Sequence, residues 1–448
     1  MAADRADEDV DPLDSFRQFF ALERDVLVLS LSMLAFSLAF QMTSRYLPEY
    51  MRVLGASASV IGLYGSAGNL ISAVYPYPGG AVSDRLGSRF ALTAFGVLAT
   101  AGFAVWYLAA VVGSVAVGPL TLPAWTFVFL GLFLAQAWKS FGLGATFAIV
   151  KQSVPPDRLA MGFASTEVFR RFGFLLGPLL AAGLLASTAG FIDGFQLVLL
   201  VAVAFGAVAT VAQHSLYDAS EDTIGKSFEG VSQVLTDLRE MPATLRPLLV
   251  ADTLVRFANG MVYVFFVIVV TEFLSVGFTG FGFDLRPDAF FGVLLGVEMV
   301  VAILSMPSVS KLAEYAGLKP AVALGFSVYA LFPLLLIFAP ANQWVLLLLF
   351  AYSGLRFAGL PAHKALIVGP AERDAGGRVT GSYYLVRNTL VIPSAALGGW
   401  LYGAEWSLEL GGVTVQAGPR FAFAVATAIG VLGVVYFVVF GEEFEPYE

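Results

Sequence analysis

The stretch GGAVSDRLGSR at 79–89 sits between two long apolar runs, near 57–78 and 90–112. An apolar run of about 20 residues is long enough to cross a bilayer. A short loop joining two such runs, with charges at Asp84, Arg85 and Arg89, therefore lies at a membrane face. Gly80 and Gly87 let the backbone approach its neighbours closely. The pattern returns later in the chain. One constant shift aligns Gly62 with Gly292, Asp84 with Glu314, Gly87 with Gly317 and Arg89 with Lys319, so SKLAEYAGLK at 310–319 reads as a degenerate second copy. A second shift aligns Lys139 with Arg356, Gly142 with Gly359, Asp157 with Asp374 and Arg170 with Arg387. Apolar sequence aligns easily by chance, whereas charged and glycine positions do not, so the chain reads as two copies of one unit.

Composition sets the solvent. Of the 448 residues, 58% are hydrophobic and 13% charged, against about 25% charged in a soluble domain. Mean hydropathy is +0.81. A soluble multidomain enzyme is excluded, and the runs are too long and continuous for the alternating strands of a membrane barrel. Apolar runs lie near 25–46, 57–78, 90–112, 122–150, 161–187, 192–213, 247–274, 288–309, 320–339, 343–366, 379–402 and 420–440. The predicted fold is an all-α integral membrane protein, with twelve transmembrane helices in two pseudo-symmetric six-helix halves. The organisation is an acidic N-terminal segment 1–24, a first half 25–213, a linker 214–246, a second half 247–440 and an acidic tail 441–448. In the linker, Ile224, Phe228, Val231, Leu235 and Leu238 recur at steps of three and four, the spacing of an amphipathic helix. Gly225-Lys226-Ser227 lacks the preceding strand and first glycine of a phosphate loop.

Most Lys and Arg outside the spans fall on the side that carries both termini; Arg45, Arg52, Arg286 and Arg420 fall on the other. The positive-inside rule then predicts a multi-pass protein of the cell membrane with cytoplasmic termini. There is no Cys and only two His, so no metal or cofactor is expected. The net charge of −8 carries no nucleic-acid footprint. No nucleophile–base set is legible, and an enzyme is not expected. A monomer is expected, with the lipid bilayer, a small-molecule solute and protons as its partners.

The loop at 79–89 resembles the motif between spans two and three of the major facilitator superfamily, Gly-x-Leu-Ala-Asp-Arg-x-Gly-Arg-Lys: Gly80, Asp84, Arg85, Gly87 and Arg89 match, and Val82 stands for the Leu. The resemblance implies a cytoplasmic latch between the halves, with Asp84 pairing against neighbouring helix ends. KSFGLGA at 139–145 resembles the span-four motif of proton-coupled members, with Lys139 in place of Arg and one residue fewer before Gly142. RRFGFLLGPLL at 170–180 resembles the span-five antiporter motif through Gly173, Gly177 and Pro178. Small residues at this spacing also serve plain helix packing.

Charge inside a span is expensive in lipid and so faces protein or a cavity. The in-span charges are Lys139, Glu167, Arg170, Arg171, Asp252, Arg256, Glu298, Arg356 and Arg387. Lys139, Arg170, Arg171, Arg256, Arg356 and Arg387 are candidate cavity or gate charges. Glu167 with Arg170 and Arg171, and Asp252 with Arg256, have helical spacing and read as shallow ion pairs, although both acids are also candidates for ion coupling. Glu298 has Gly68 as its repeat partner and lies roughly 15 Å into span eight by helix rise, so it reads as a lone midplane carboxylate and the leading coupling candidate; the alternative is a structural ion pair with Arg256 or Arg356. Candidate substrate contacts are Gln41, Asn69, Asn259, Tyr352, Tyr383, Tyr384 and Asn388. Parallel six-span repeats place a substrate site between the halves. The expected activity is secondary active transport of a small solute by alternating access, as proton-coupled efflux. The alternative is import of a sugar or organic anion by symport or uniport.

Overall fold

The computed structural model describes residues 24–75, 85, 87–141, 159–217, 243–368, 376–410 and 413–443. The first half contains α1 (Arg24–Thr43), α2 (Leu47–Val53), α3 (Ala58–Val74), α4 (Ser88–Val112), α5 (Thr126–Gln136), α6 (Leu159–Ala186) and α7 (Phe191–Leu216). The second half begins with α8 (Leu245–Val262), which a 3-10 turn and α9 (Phe266–Ile268) extend to a π turn at Val269–Phe273. Then come α10 (Pro287–Ala316), α11 (Leu318–Ile337), α12 (Gln343–Gly354), α13 (Leu360–Val368), α14 (Gly376–Val391), α15 (Ser394–Tyr402) and α16 (Pro419–Phe440). Among the described residues, nine helices are long and apolar enough to cross a membrane, and α3 is a shorter apolar one. The remaining two apolar runs are interrupted. One contains α5, which passes into a π turn at Ala137–Phe141. The other contains α14 and α15, which part at Ile392-Pro393, where proline supplies no N–H and cannot continue the helix.

Local chemistry sets the boundaries. Pro287 and Pro419 open α10 and α16 at the first helical position, where the missing N–H costs nothing. Asn342 caps α12, accepting from the N–H groups of Trp344 and Val345 at 2.9 and 3.3 Å. Gly317, at φ +91°, makes the sharp turn from α10 to α11. The Glu443 carboxylate then accepts from the backbone N–H groups of Leu318 and Lys319 at 2.7 and 2.9 Å, satisfying orphan donors at a helix N-terminus. At the equivalent place in the first half, Arg89 Nε donates to the His214 carbonyl at 2.8 Å. Both contacts tie the start of a third span to the chain leaving the sixth, which is the repeat seen from the side.

Three antiparallel hairpins, which the all-helical expectation did not contain, lie in the connections after α4, α9 and α15: β1 (Val115–Val117) with β2 (Leu120–Leu122), β3 (Phe278–Gly280) with β4 (Phe283–Leu285), and β5 (Ser407–Leu410) with β6 (Val413–Gln416). These connections alternate with those expected on the cytoplasmic side, so the hairpins mark the opposite end of the bundle. Across the halves, α6 packs on α10 and α3 on α15. Small residues let them meet: Gly62 and Gly399 face each other backbone to backbone, and Gly296 packs under Leu179.

Gly80, Asp84, residues 142–158 and most of the linker lie outside the described residues. Of the loop motif, Arg85 is exposed, Gly87 has φ +80° and Arg89 makes the carbonyl contact above.

Candidate functional site: a half-interface cavity between two ion-pair clusters

A cavity of about 270 Å³ opens between the halves, walled by α3 on one side and by α8, α14 and α15 on the other. Its polar lining is Asn69, Arg256, Asn259, Tyr263, Arg387 and Asn388. Three expected substrate contacts, Asn69, Asn259 and Asn388, therefore line one space together with two expected gate charges. Asn69 Nδ2 donates to the Val391 carbonyl at 3.4 Å, bridging the halves. The Asn259 Oδ1 is buried and has no hydrogen-bond partner among the described residues. The other expected contacts lie elsewhere. Gln41 packs where a side chain on Gly177 would stand, Tyr352 sits against the core, and Tyr383 and Tyr384 support the charges behind the cavity.

Behind the cavity, Asp252 is fully buried. Its Oδ1 accepts from Arg256 Nε at 3.3 Å. Its Oδ2 accepts from Arg387 Nη1 at 3.0 Å and from the Tyr383 hydroxyl at 3.2 Å, and His363 Nε2 stands 3.2 Å away. The expected pair with Arg256 is present but is deep rather than shallow: Asp252 gathers side chains from α8, α13 and α14, because a buried carboxylate is stable only when its oxygens are fully engaged. The Arg387 guanidinium lies over Tyr384, 4.6 Å from the ring centroid, and its Nε and Nη2 donate to Asn388 Oδ1 at 3.2 and 2.9 Å.

In the second cluster Glu298 is not a lone carboxylate; of its two readings the structure shows the ion pair, with Arg356 rather than Arg256. Its Oε1 pairs with Arg356 and accepts from the Ser353 hydroxyl at 2.8 Å, while Arg45 Nη2 stands 3.9 Å from Oε2. Glu298 and Arg356 are each 4% exposed. Desolvation explains the pairing, since an isolated carboxylate at this depth would be far costlier than one bonded to a guanidinium. Arg45, counted above as a loop charge, has a side chain only 11% exposed and lies 4.2 Å over the Tyr263 ring, at the cavity wall. Tyr329 joins the clusters: its hydroxyl accepts from Arg256 Nη1 at 2.9 Å, and its ring carries both Arg256 and Arg356, at 4.6 and 5.2 Å.

In the first half, Arg170 lies over Phe174 at 5.5 Å, and its carbonyl accepts from Ser37. Arg171 lies on the same helix, and Glu167 belongs to it by backbone position. Lys139 is exposed, 5.9 Å from the Phe40 ring, so it and Arg356 share a repeat position without sharing an environment. A side chain on Gly173 would strike Ser37, and one on Gly177 would meet Gln41 Cβ at 2.7 Å. Both glycines thus serve the seam between α1 and α6. Sequence reading missed Arg45, Tyr329, Ser353 and His363.

At the hairpin end the halves are tied together. Arg52 Nε pairs with Glu272 at 3.2 Å, the Tyr46 hydroxyl donates to the Asp288 carbonyl at 3.3 Å, and Arg286 donates to the Leu185 carbonyl at 3.1 Å and to that of Thr188. Glu49 on α2 is buried beside this seam, its Oε2 without a hydrogen-bond partner among the described residues. Burial pushes its carboxyl up to about 8; Thr271 opposes the shift by hydrogen bonding, while Asp288 and Glu272 add to it.

Two packed helical halves with a polar, charged cavity on their shared interface are the architecture of a secondary transporter. The chain belongs to the Major Facilitator Superfamily, whose family model matches residues 29–286. Among solved structures it is similar to the nucleoside transporter NupG (14% identity, TM-score 0.69, covering 95% of this chain and 100% of that one). It is also similar to a POT family transporter in complex with 5-aminolevulinic acid (16%, 0.67, 94% and 96%) and to a peptide transporter POT in complex with sulfate (16%, 0.67, 93% and 94%). At these identities the likeness is one of fold. No curated protein matches the sequence.

Proposed function

We propose that the protein is a proton-coupled carrier of the cell membrane that exports a small solute by alternating access, with both termini and the 214–246 segment cytoplasmic. The observation that carries the reading is the pairing of Glu298 with Arg356, one residue cluster away from the cavity and linked to it through Tyr329 and Arg256. Protonating Glu298 removes the charge that holds Arg356 and frees that guanidinium to move against Tyr329. Solute in the cavity acts on the same ring through Arg256. Proton and solute thereby bias one set of contacts, which is what coupling requires. Asp252 is the second acid on this path; Glu167 is a candidate by sequence alone. The bonds at the hairpin end support a conformer closed on that side.

Import by symport is the second reading. It is favoured by the cationic cavity wall, since a proton travelling with an anion offsets its charge, and by the solutes in the relatives' complexes. The test is solute-driven proton movement in proteoliposomes of known orientation. Proton flux opposite to the solute supports export by exchange, and flux in the same direction supports symport. Solute flux without proton movement overturns the coupling.

A further inference from the structure

We propose that the cavity takes a small organic anion, its carboxylate or equivalent oxyanion held between Arg256 and Arg387. The inference rests on the carrier reading above and names the solute class. Three observations carry it. The first is charge. Arg45, Arg256, Arg356 and Arg387 surround the cavity and its backing clusters, and the carboxylates paired with them are Asp252 and Glu298. Arginine does not lose its proton in proteins, so among the described residues these clusters hold four cations against two carboxylates. A buried cation in excess is costly until an anion joins it. A cationic solute would deepen the excess, and a neutral one would leave it.

The second is geometry. The Nε and Nη2 edge of Arg387 is the face that grips a carboxylate with two parallel hydrogen bonds. In this conformer that edge is occupied by a single neutral oxygen, Oδ1 of the adjacent Asn388. Asn388 thus stands where a carboxylate oxygen would, and a solute carboxylate replaces a weak neutral acceptor with a charged one. The third is an unfilled acceptor. Asn259 lines the cavity, and its Oδ1 is buried with no hydrogen-bond partner among the described residues, an unmet acceptor that a ligand would account for. A hydroxyl or N–H on the solute's other end satisfies it. The volume, about 270 Å³, lies just below the usual range of small-molecule sites, about 300–1,000 Å³, so the solute is small.

The test is binding to the purified full chain. Thermal shift and calorimetry are run with lactate, mandelate and 4-hydroxybutyrate, each beside its neutral amide and an amine of matched size. The inference predicts that one or more carboxylates bind and stabilise the protein while the matched amides and amines do not. It predicts that Arg387→Gln and Arg256→Gln weaken that binding roughly tenfold or more, and that Arg387→Lys weakens it less than Arg387→Gln. Asn259→Leu leaves every ion pair intact, so it serves if the arginine variants fail to fold; it lowers affinity for hydroxy acids more than for their dehydroxylated forms. Equal binding of amides or amines, undiminished carboxylate binding in a folded Arg387→Gln variant, or silence across the panel overturns the inference. Carboxylate binding without proton movement in proteoliposomes leaves the inference standing and removes the coupling proposed above.

Discussion

Gly62→Ala tests whether the seam between α3 and α15 opens during function. The two halves touch here through backbone alone. A Cβ on Gly62 would strike the Ala395 carbonyl oxygen and lie 2.8 Å from Gly399 Cα and 3.1 Å from Gly399 N. Carbon atoms rest about 3.5–4.0 Å apart, so the helices must separate by roughly 1 Å, and no side chain can rotate away to spare them. Overpacking of this kind costs about 1–3 kcal/mol. Alanine's higher helix propensity acts in every conformer and cancels. If the seam parts in one functional state, the whole cost falls on the closed state, and the equilibrium moves roughly 5- to 150-fold toward the open one. The readout is thiol labelling. The chain has no Cys, and Ser66, whose hydroxyl accepts from the Ala396 N–H across the same seam at 2.9 Å, supplies a single site as Ser66→Cys. A water-soluble maleimide added at the hairpin end should label it slowly alone and about tenfold faster or more with Gly62→Ala. Gly183→Ala, which meets open space, should change nothing. An unchanged rate in monodisperse protein, or a Gly62→Ala protein that does not fold, would refute the reasoning and make the seam a permanent joint.

Glu49 gives a pH prediction. Its carboxyl is raised in the closed conformer to about 8 and returns to about 4.3 when hydrated. The buried state therefore binds the proton more tightly, its advantage is complete below about pH 4, and it is lost as pH rises to about 8, at ~1.4 kcal/mol per unit. Labelling at the hairpin end should rise with pH over that window and become flat in Glu49→Gln; the same slope in the variant removes Glu49 as its origin. Arg356→Ala should lower folded yield and transport far more than Lys139→Ala, because it strands buried Glu298, at about 3–5 kcal/mol, whereas Lys139 is exposed; equal small losses would contradict this. A Cys at Phe281, which is 85% exposed on the β3–β4 turn, should label from outside intact cells, and labelling only after permeabilisation would invert the topology.

The spans were legible because a bilayer imposes one long, simple pattern, and all twelve apolar runs have helices within them. The hairpins were not, since strands of three or four residues are too short to show a periodicity. The Pro393 break was visible in the sequence, whereas the π turn at Val269–Phe273 has no such residue. Asp252, Arg256, Glu298, Arg356 and Arg387 stood out because charge is rare in an apolar run. Helical spacing gave the pair of Asp252 with Arg256, and Arg356 was one of two partners open to Glu298; the choice between them was hidden, because Glu298 meets Arg356 from a different helix and nothing in either segment encodes it. Arg45 looked like a loop charge because it lies at the very end of the apolar run 25–46. Tyr329 and His363 are ordinary core residue types whose role comes only from the guanidiniums and carboxylate beside them. The Asn trio could be named but not assembled, since Asn69 comes from one half and Asn259 and Asn388 from the other.

The central claim is that Glu298 carries the proton that drives transport. In proteoliposomes with an entrapped pH dye, a carboxylate that binds the purified protein should move protons saturably through wild-type protein. Glu298→Gln, checked as folded and still binding that solute, should exchange solute for solute but move no protons. Full pH-driven accumulation by a folded Glu298→Gln protein would contradict the account.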